Sequence, residues 1–242
     1  MNIINRTIIE NKISNGYDFK FGDYISKGFE LFKKDMGMFI LAFVVIMFTS
    51  WIPFLGVCIQ TNFFTICHKV ENGEKGEISD LFNFEKLGTL VVYYIILIAC
   101  VLVILIPMFV PIILLGDSDG NSYDSDMQSA LGGGMIIGML VMYVLLLLFM
   151  GFTYFAIPLI HFGDYKAIEA LKTSFKLVKK QILMIFLFFI VVGMLASVGV
   201  IACYIGMIVS IPFSYCVMYQ SYKDVLFSEN AMQNEINLIK GI

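Results

Sequence analysis

Six stretches of this chain, residues 36–52, 54–67, 87–115, 131–162, 182–202 and 203–222, hold no Asp, Glu, Lys or Arg in their interiors. Backbone groups in hydrocarbon must find partners within their own segment, and these stretches lack the period-two polar pattern of a barrel strand, so each predicts a helix. With 59% hydrophobic and 14% charged residues and a mean hydropathy of +0.86, the chain has more apolar surface than a 242-residue globule hides from water. The expectation is an all-α, six-helix transmembrane bundle. A span needs about 20 apolar residues and at least about 17. The second stretch is therefore short, and the third and fourth are long enough to tilt, kink or protrude.

Charge placement sets the expected orientation. All 16 basic residues fall in the first, third, fifth and last of the seven segments around the apolar stretches. Six crossings put those four segments on one side, which the positive-inside rule makes cytoplasmic. The expectation is a multi-pass protein of a bacterial inner membrane with both termini cytoplasmic. The first 35 residues are too charged for a signal peptide, so the first crossing is expected to act as its own insertion signal. Cys58, Cys67, Cys100, Cys203 and Cys216 all lie inside apolar stretches and read as small hydrophobes.

The polar segments before the first and fifth stretches match each other. On a helix, Phe21, Ile25, Gly28, Phe29 and Phe32 share one face and Asp23, Lys27, Glu30 and Lys34 the other. A shift of 146 positions gives Ala167, Leu171, Ser174, Phe175 and Val178 against Glu169, Thr173, Lys176 and Lys180. Each ends in a Lys pair, Lys33 and Lys34 or Lys179 and Lys180, that opens an apolar hairpin. This predicts a duplicated unit of one amphipathic interfacial helix plus a helical hairpin. Residues 21–70 and 167–222 are the two copies, and 87–162 form a central hairpin between them. Residues 18–227 make one membrane domain, with 1–17 and 228–242 as cytoplasmic tails. A further short interfacial helix is expected at 78–87, with Ser79 as its cap. Trp51 is expected as an anchor at an outer turn. Small residues every fourth position, Ala130, Gly134 and Gly138, and Ala202, Gly206, Ser210 and Ser214, predict close helix approach. Pro107, Pro111 and Pro158 predict kinks.

The string FGDYKAIEALKTSFKLVKK at 162–180, running into an apolar hairpin with Ile-Pro in its second arm, resembles a widespread family of polytopic bacterial membrane domains. That family is related to the membrane domain fused to some glycerophosphodiester phosphodiesterases. Glu169, Ala170, Leu171, Lys172 and Ser174 sit at the family's motif positions, with Gly163 and Asp164 in reversed order at its turn. The resemblance, over about residues 20–227, implies six helices and an unassigned function. It carries no catalytic residues over, and the phosphodiesterase activity belongs to a soluble domain outside the resemblance.

Chemistry-bearing groups are sparse. No stretch interior offers a carboxylate or amine, and His68 and His161 lie near helix ends, where bonding to water or headgroups is the expected role rather than metal binding. Asp117, Asp119, Asn121, Asp124 and Asp126 depart from the calcium-loop template and read as a solvated acidic loop. The mid-membrane polar residues Gln60, Thr61 and Asn62, set by the repeat opposite Ser210 and Pro212, form the candidate intramembrane site, with interhelical hydrogen bonding as the plainer role. The candidate working surface is the interfacial basic face of Lys27, Lys33, Lys34, Lys172, Lys176, Lys179 and Lys180, suited to the lipid bilayer and its anionic headgroups. The resulting expectation is a non-catalytic scaffold or accessory factor at the cytoplasmic face, needing no cofactor or metal, with a membrane-protein partner and no nucleic acid. The alternative is a passive carrier or channel for a small or amphiphilic molecule.

Overall fold

A computed structural model of the protein describes residues 3–52, 54–116, 125–201 and 206–227. Among these the regular structure is helical and contains no strand. The helices are α1 (Arg6–Asn15), α2 (Phe21–Lys34), α3 (Met36–Thr49), α4 (Leu55–Glu71), α5 (Leu87–Gly116), α6 (Ser125–Phe152), α7 (Ala156–Gly163), α8 (Ala167–Lys180), α9 (Ile182–Ile201) and α10 (Met207–Leu226), with a short 3-10 helix at Ile78–Phe82 between α4 and α5. Four expectations fall wholly or partly outside the described residues: the acidic loop at 117–124, the outer turn around Ala202 and Cys203, the turn residue Pro53 and the tail at 228–242.

Two helical stretches, Leu87–Ile106 and Gly138–Gly163, are long and apolar enough to cross a membrane. A third is reached if α8 and α9, bent by 102° at Gln181, count as one broken span. The six expected spans thus reduce, by length and apolarity among the described residues, to two or three. The reason lies in helix length and composition. At about 1.5 Å per residue, α3 with its 14 residues reaches about 21 Å, short of a hydrocarbon core of about 30 Å. The 17 residues of α4 end in His68, Lys69 and Glu71, and α10 carries Lys223 and Asp224 in its last turn.

The hydrophobic surface is distributed in a way water would not tolerate. Exposed side chains include Phe48, Leu102, Val103, Ile136, Leu140, Leu183 and Met194, spread over α3, α5, α6 and α9. Trp51 is 89% exposed at the tip of the α3–α4 hairpin. Isolated exposed apolar residues are ordinary, but whole helices of them call for lipid. The packed core sits at the charged end. It joins Tyr24, Leu31, Phe63, Ile66, Phe155, Phe162, Leu177, Tyr219 and Tyr222 from α2, α4, α7, α8 and α10.

At a shift of 146 both boundaries of α2 coincide with those of α8 and the start of α3 with that of α9, including a single linking residue, Asp35 or Gln181, while α9 runs six residues further than α3. Corresponding positions also share burial: Tyr24 and Ala170, Gly28 and Ser174, Leu31 and Leu177, Phe32 and Val178 are all buried. What they pack against differs. α2 lies antiparallel along α10, from Tyr24 at Asp224, through Gly28 at Val217, to Phe32 at Phe213. A Cβ on Gly28 would stand 2.7 Å from the Val217 Cα and 2.9 Å from its N, so only glycine permits this approach. The apolar face of α2, expected to enter lipid, is thus mostly covered by protein, with Phe29 left 47% exposed.

α8 packs instead on α7, which the break before Pro158 creates. The chain leaves helical geometry at 153–155, and Ser174 closes the break by donating from its Oγ to the Phe152 carbonyl at 2.7 Å and accepting from the Phe155 N–H at 3.0 Å. Pro158 thus acts through a break upstream of it, while α5 continues as helix through Pro107 and Pro111. The small-residue stripe does not close at Gly138, whose Cβ position faces open space.

Residues 1–17, expected to be a tail, instead contain a docked helix. Ile3, Ile4 and Ile9 are buried, and the Ile3 N–H donates to the Phe162 carbonyl at 2.9 Å. Arg6 pairs with Glu169 at 2.6 Å and lies over the Tyr165 ring. Lys12 donates to the carbonyls of Asp224 and Val225. Apolar residues at 3, 4 and 9 make this segment a strap from α8 to α10.

Candidate functional site

The mid-membrane polar residues each have a separate internal partner. Gln60 donates to the Tyr215 hydroxyl, joining α4 to α10. The Thr61 hydroxyl returns to the Val57 carbonyl at 2.9 Å, a bond within its own helix. Asn62 donates to the carbonyls of Leu81 at 2.8 Å and Asn83 at 2.7 Å, tying down the 3-10 segment, which Lys69 also holds through Asp80 at 2.6 Å. Ser210 donates to the Ala196 carbonyl at 2.8 Å, and Pro212 is buried in α10. None of these hydrogen bonds links two members of the set, so the polar atoms are used for packing one element on another.

The basic face divides into two concavities. The larger, about 830 Å³, lies between the α1–α2 connection, α2 and the ends of α4 and α10. Lys12, Lys20, Lys27, Lys34 and Lys223 line it, and so do Asp18, Glu30, Glu71 and Asp224. Glu71 is its hub. Its Oε1 takes Lys223 at 2.9 Å and Gln220 at 3.0 Å, and its backbone carbonyl takes Lys34 at 3.1 Å. Its Oε2 is enclosed without a partner. On the opposite wall the Tyr24 hydroxyl donates to Asp224 at 2.5 Å, and burial together with that carboxylate pushes the phenol well above its ordinary range. Lys33 does not enter the cleft and sits over the Phe29 ring at 4.2 Å.

The second concavity, about 680 Å³, runs between α1 and α8 and reaches Val92 on α5. Arg6, Lys166, Lys172 and Lys176 supply positive charge there, and Ile9, Ile13 and Ile168 supply an apolar wall. Ile168 is 58% and Phe175 48% exposed, alongside Lys172, Lys176 and Lys179. Lys180 turns back to donate to the Ser14 carbonyl at 3.3 Å. At the lip, Lys86 pairs with Asp164, which raises the lysine and holds the carboxyl below its usual range. Residues 3–17 border both concavities, a role that a reading of 1–17 as a tail misses. The buried Ile3, Ile4 and Ile9 were the available signal.

The histidines are not boundary groups awaiting water. His68 is buried, with Nδ1 at 2.9 Å from the Tyr219 hydroxyl and Nε2 accepting from the Asn72 amide at 3.0 Å. His161 Nε2 is 2.7 Å from the Thr65 hydroxyl, and its Nδ1 is enclosed without a partner. Among the described residues no group of three His, Cys, Asp or Glu side chains is placed to hold a metal. Cys58, Cys67 and Cys216 are buried and free.

Comparison of the chain with models of protein families, with curated proteins and with solved structures finds no match. The resemblance at residues 162–180 rests on that string alone.

Proposed function

We propose that the protein is a non-catalytic, multi-pass membrane scaffold or accessory factor that works at its basic face, through contact with anionic headgroups. The observation that carries this reading is α8. It turns 102° from the apolar α9, so one lies in the membrane plane when the other crosses it. Its outward side combines exposed Ile168 and Phe175 with Lys172, Lys176 and Lys179. Apolar side chains beside several cations are what a headgroup layer selects, at about 1 kcal/mol per Lys near an anionic surface. The coincident boundaries of α2 and α8 and the coincident starts of α3 and α9 support a duplicated unit, with the α5–α6–α7 segment inserted between the copies. In this reading six helices enter the membrane. The α3–α4 hairpin either spans or dips and returns, and both cases leave its two ends on the basic, cytoplasmic side. The carrier reading has less support, because Gln60, Thr61, Asn62 and Ser210 are already hydrogen-bonded inside the protein.

The test is the lipid that co-purifies. Replacing Lys172, Lys176, Lys179 and Lys180 with Gln should lower the ratio of anionic to zwitterionic phospholipid retained by the purified chain by at least about tenfold, given about 1 kcal/mol for each lysine. A ratio equal to that of the unaltered protein overturns the reading.

A further inference from the structure

The concavity between α1 and α8 differs from the larger cleft in reaching the membrane. Val92 on its wall belongs to the α5 span Leu87–Ile106, about 8 Å along the helix from Leu87, and is exposed. Ile9 and Ile13 continue the apolar lining onto α1, and Ile168 onto α8. Three elements thus border one space that is apolar where α5 enters the membrane and basic along α8.

The charge of this space is unbalanced. Arg6 and Glu169 answer each other at 2.6 Å, which leaves Lys166, Lys172 and Lys176 against Glu10, a surplus of two positive charges. None of those four side chains, nor the Thr173 hydroxyl beside them, forms an ion pair or hydrogen bond among the described residues. Lys176 lies four residues from Lys172 and three from Thr173, helical neighbours with Cβ atoms about 5–6 Å apart, so two ammonium groups and a hydroxyl reach one anion.

The combination narrows the ligand. A soluble phosphate leaves Val92 and the isoleucines unused, and a neutral lipid leaves the lysines unanswered. An anionic phospholipid meets both, and basic pockets beside membrane helices on the cytoplasmic side suit such headgroups. The volume, about 680 Å³, is in the range of small-molecule sites.

We propose that this concavity holds one anionic phospholipid, its phosphate at Lys172, Thr173 and Lys176 with Lys166 adding charge, and its acyl chains passing Ile168 and Val92 into the bilayer. This rests on the reading of α8 as a headgroup-facing helix and deepens it, from a surface touching many lipids to a groove retaining one. Phe175 and Lys179, on the outward side of α8, lie outside the groove.

Native mass spectrometry of the full chain in detergent, titrated with phosphatidylglycerol or phosphatidylcholine, counts bound lipids one at a time. The first phosphatidylglycerol should bind at least about tenfold more tightly than the second, and than phosphatidylcholine. Lys166→Gln should weaken that first site about fivefold, the worth of one lysine near an anionic headgroup, and Lys179→Gln should leave it unchanged. Val92→Trp fills the apolar end without altering charge and should weaken the first site by at least as much. Lys166 and Val92 are both exposed, so neither change disturbs the core. Equal affinity for the two lipids, an unaltered first site in Lys166→Gln or in Val92→Trp, or equal losses in Lys166→Gln and Lys179→Gln overturns the proposal. Equal losses in the two lysine variants leave the α8 reading standing, as contact with many headgroups, whereas equal affinity for the two lipids ends both.

Discussion

Ser174 carries more of the structure than a hydroxyl on an amphipathic helix ordinarily does. It is fully buried and bonds both a carbonyl and an N–H freed by the break at 153–155. Ser174→Ala leaves both groups buried and unpaired, so it should destabilise the protein by about 1–3 kcal/mol, read as a lowered unfolding midpoint in detergent. A shift below about 0.5 kcal/mol would show that the break finds other partners. Lys86 and Asp164 make a different prediction. The depressed Asp164 carboxyl contributes stability above its unfolded value of about 4 and loses it as pH falls through the lower folded value; Lys86 contributes below about 10.5 and loses it as pH rises through its raised value. The midpoint difference between the unaltered chain and Lys86→Ala should therefore be flat from about pH 5 to 10 and vanish near pH 2. Asp164 is exposed to solvent, so the difference is small, under about 1 kcal/mol. Ser174 stands out in the sequence only as a motif position, because its partners lie 19 and 22 residues away.

At the scale of elements, periodicity was a good guide to helices and a poor guide to neighbours. The 146-residue shift located α2 with α8, and the starts of α3 and α9, to the residue. The apolar faces it identified are the buried faces, with Phe29 and Phe175 left outside in both copies. An apolar stripe does not say whether lipid or another helix covers it, because both are apolar solvents. Gly28 is where protein won for α2. Gly28→Ala puts a methyl against the Val217 backbone, and neither helix can yield without separating. It should cost about 1–3 kcal/mol, comparable to overpacking a core, and an unfolding midpoint within about 0.5 kcal/mol of the unaltered protein would mean the α2–α10 contact is looser than described.

For the whole molecule, orientation is the quantity to measure. On the proposed topology, with the basic segments cytoplasmic, a cysteine placed at Ser125, the first residue of α6, should react with an impermeant thiol reagent in intact cells. Protection there, with labelling only after permeabilisation, reverses the orientation. The sequence alone determined that this chain is helical, that it holds stretches apolar enough to cross a membrane, and where its charges lie, because hydropathy, charge and helical period are properties of short segments. Tertiary structure alone decided that α2 lies on α10, that residues 3–17 form a strap, that Gln60 and Asn62 are fasteners between elements, and that four of the seven lysines of the basic face, Lys27 and Lys34 in one and Lys172 and Lys176 in the other, line two separate concavities. Each of those depends on which elements share a boundary, and contacts as far apart in sequence as Lys12 with Asp224 leave no periodic trace to read.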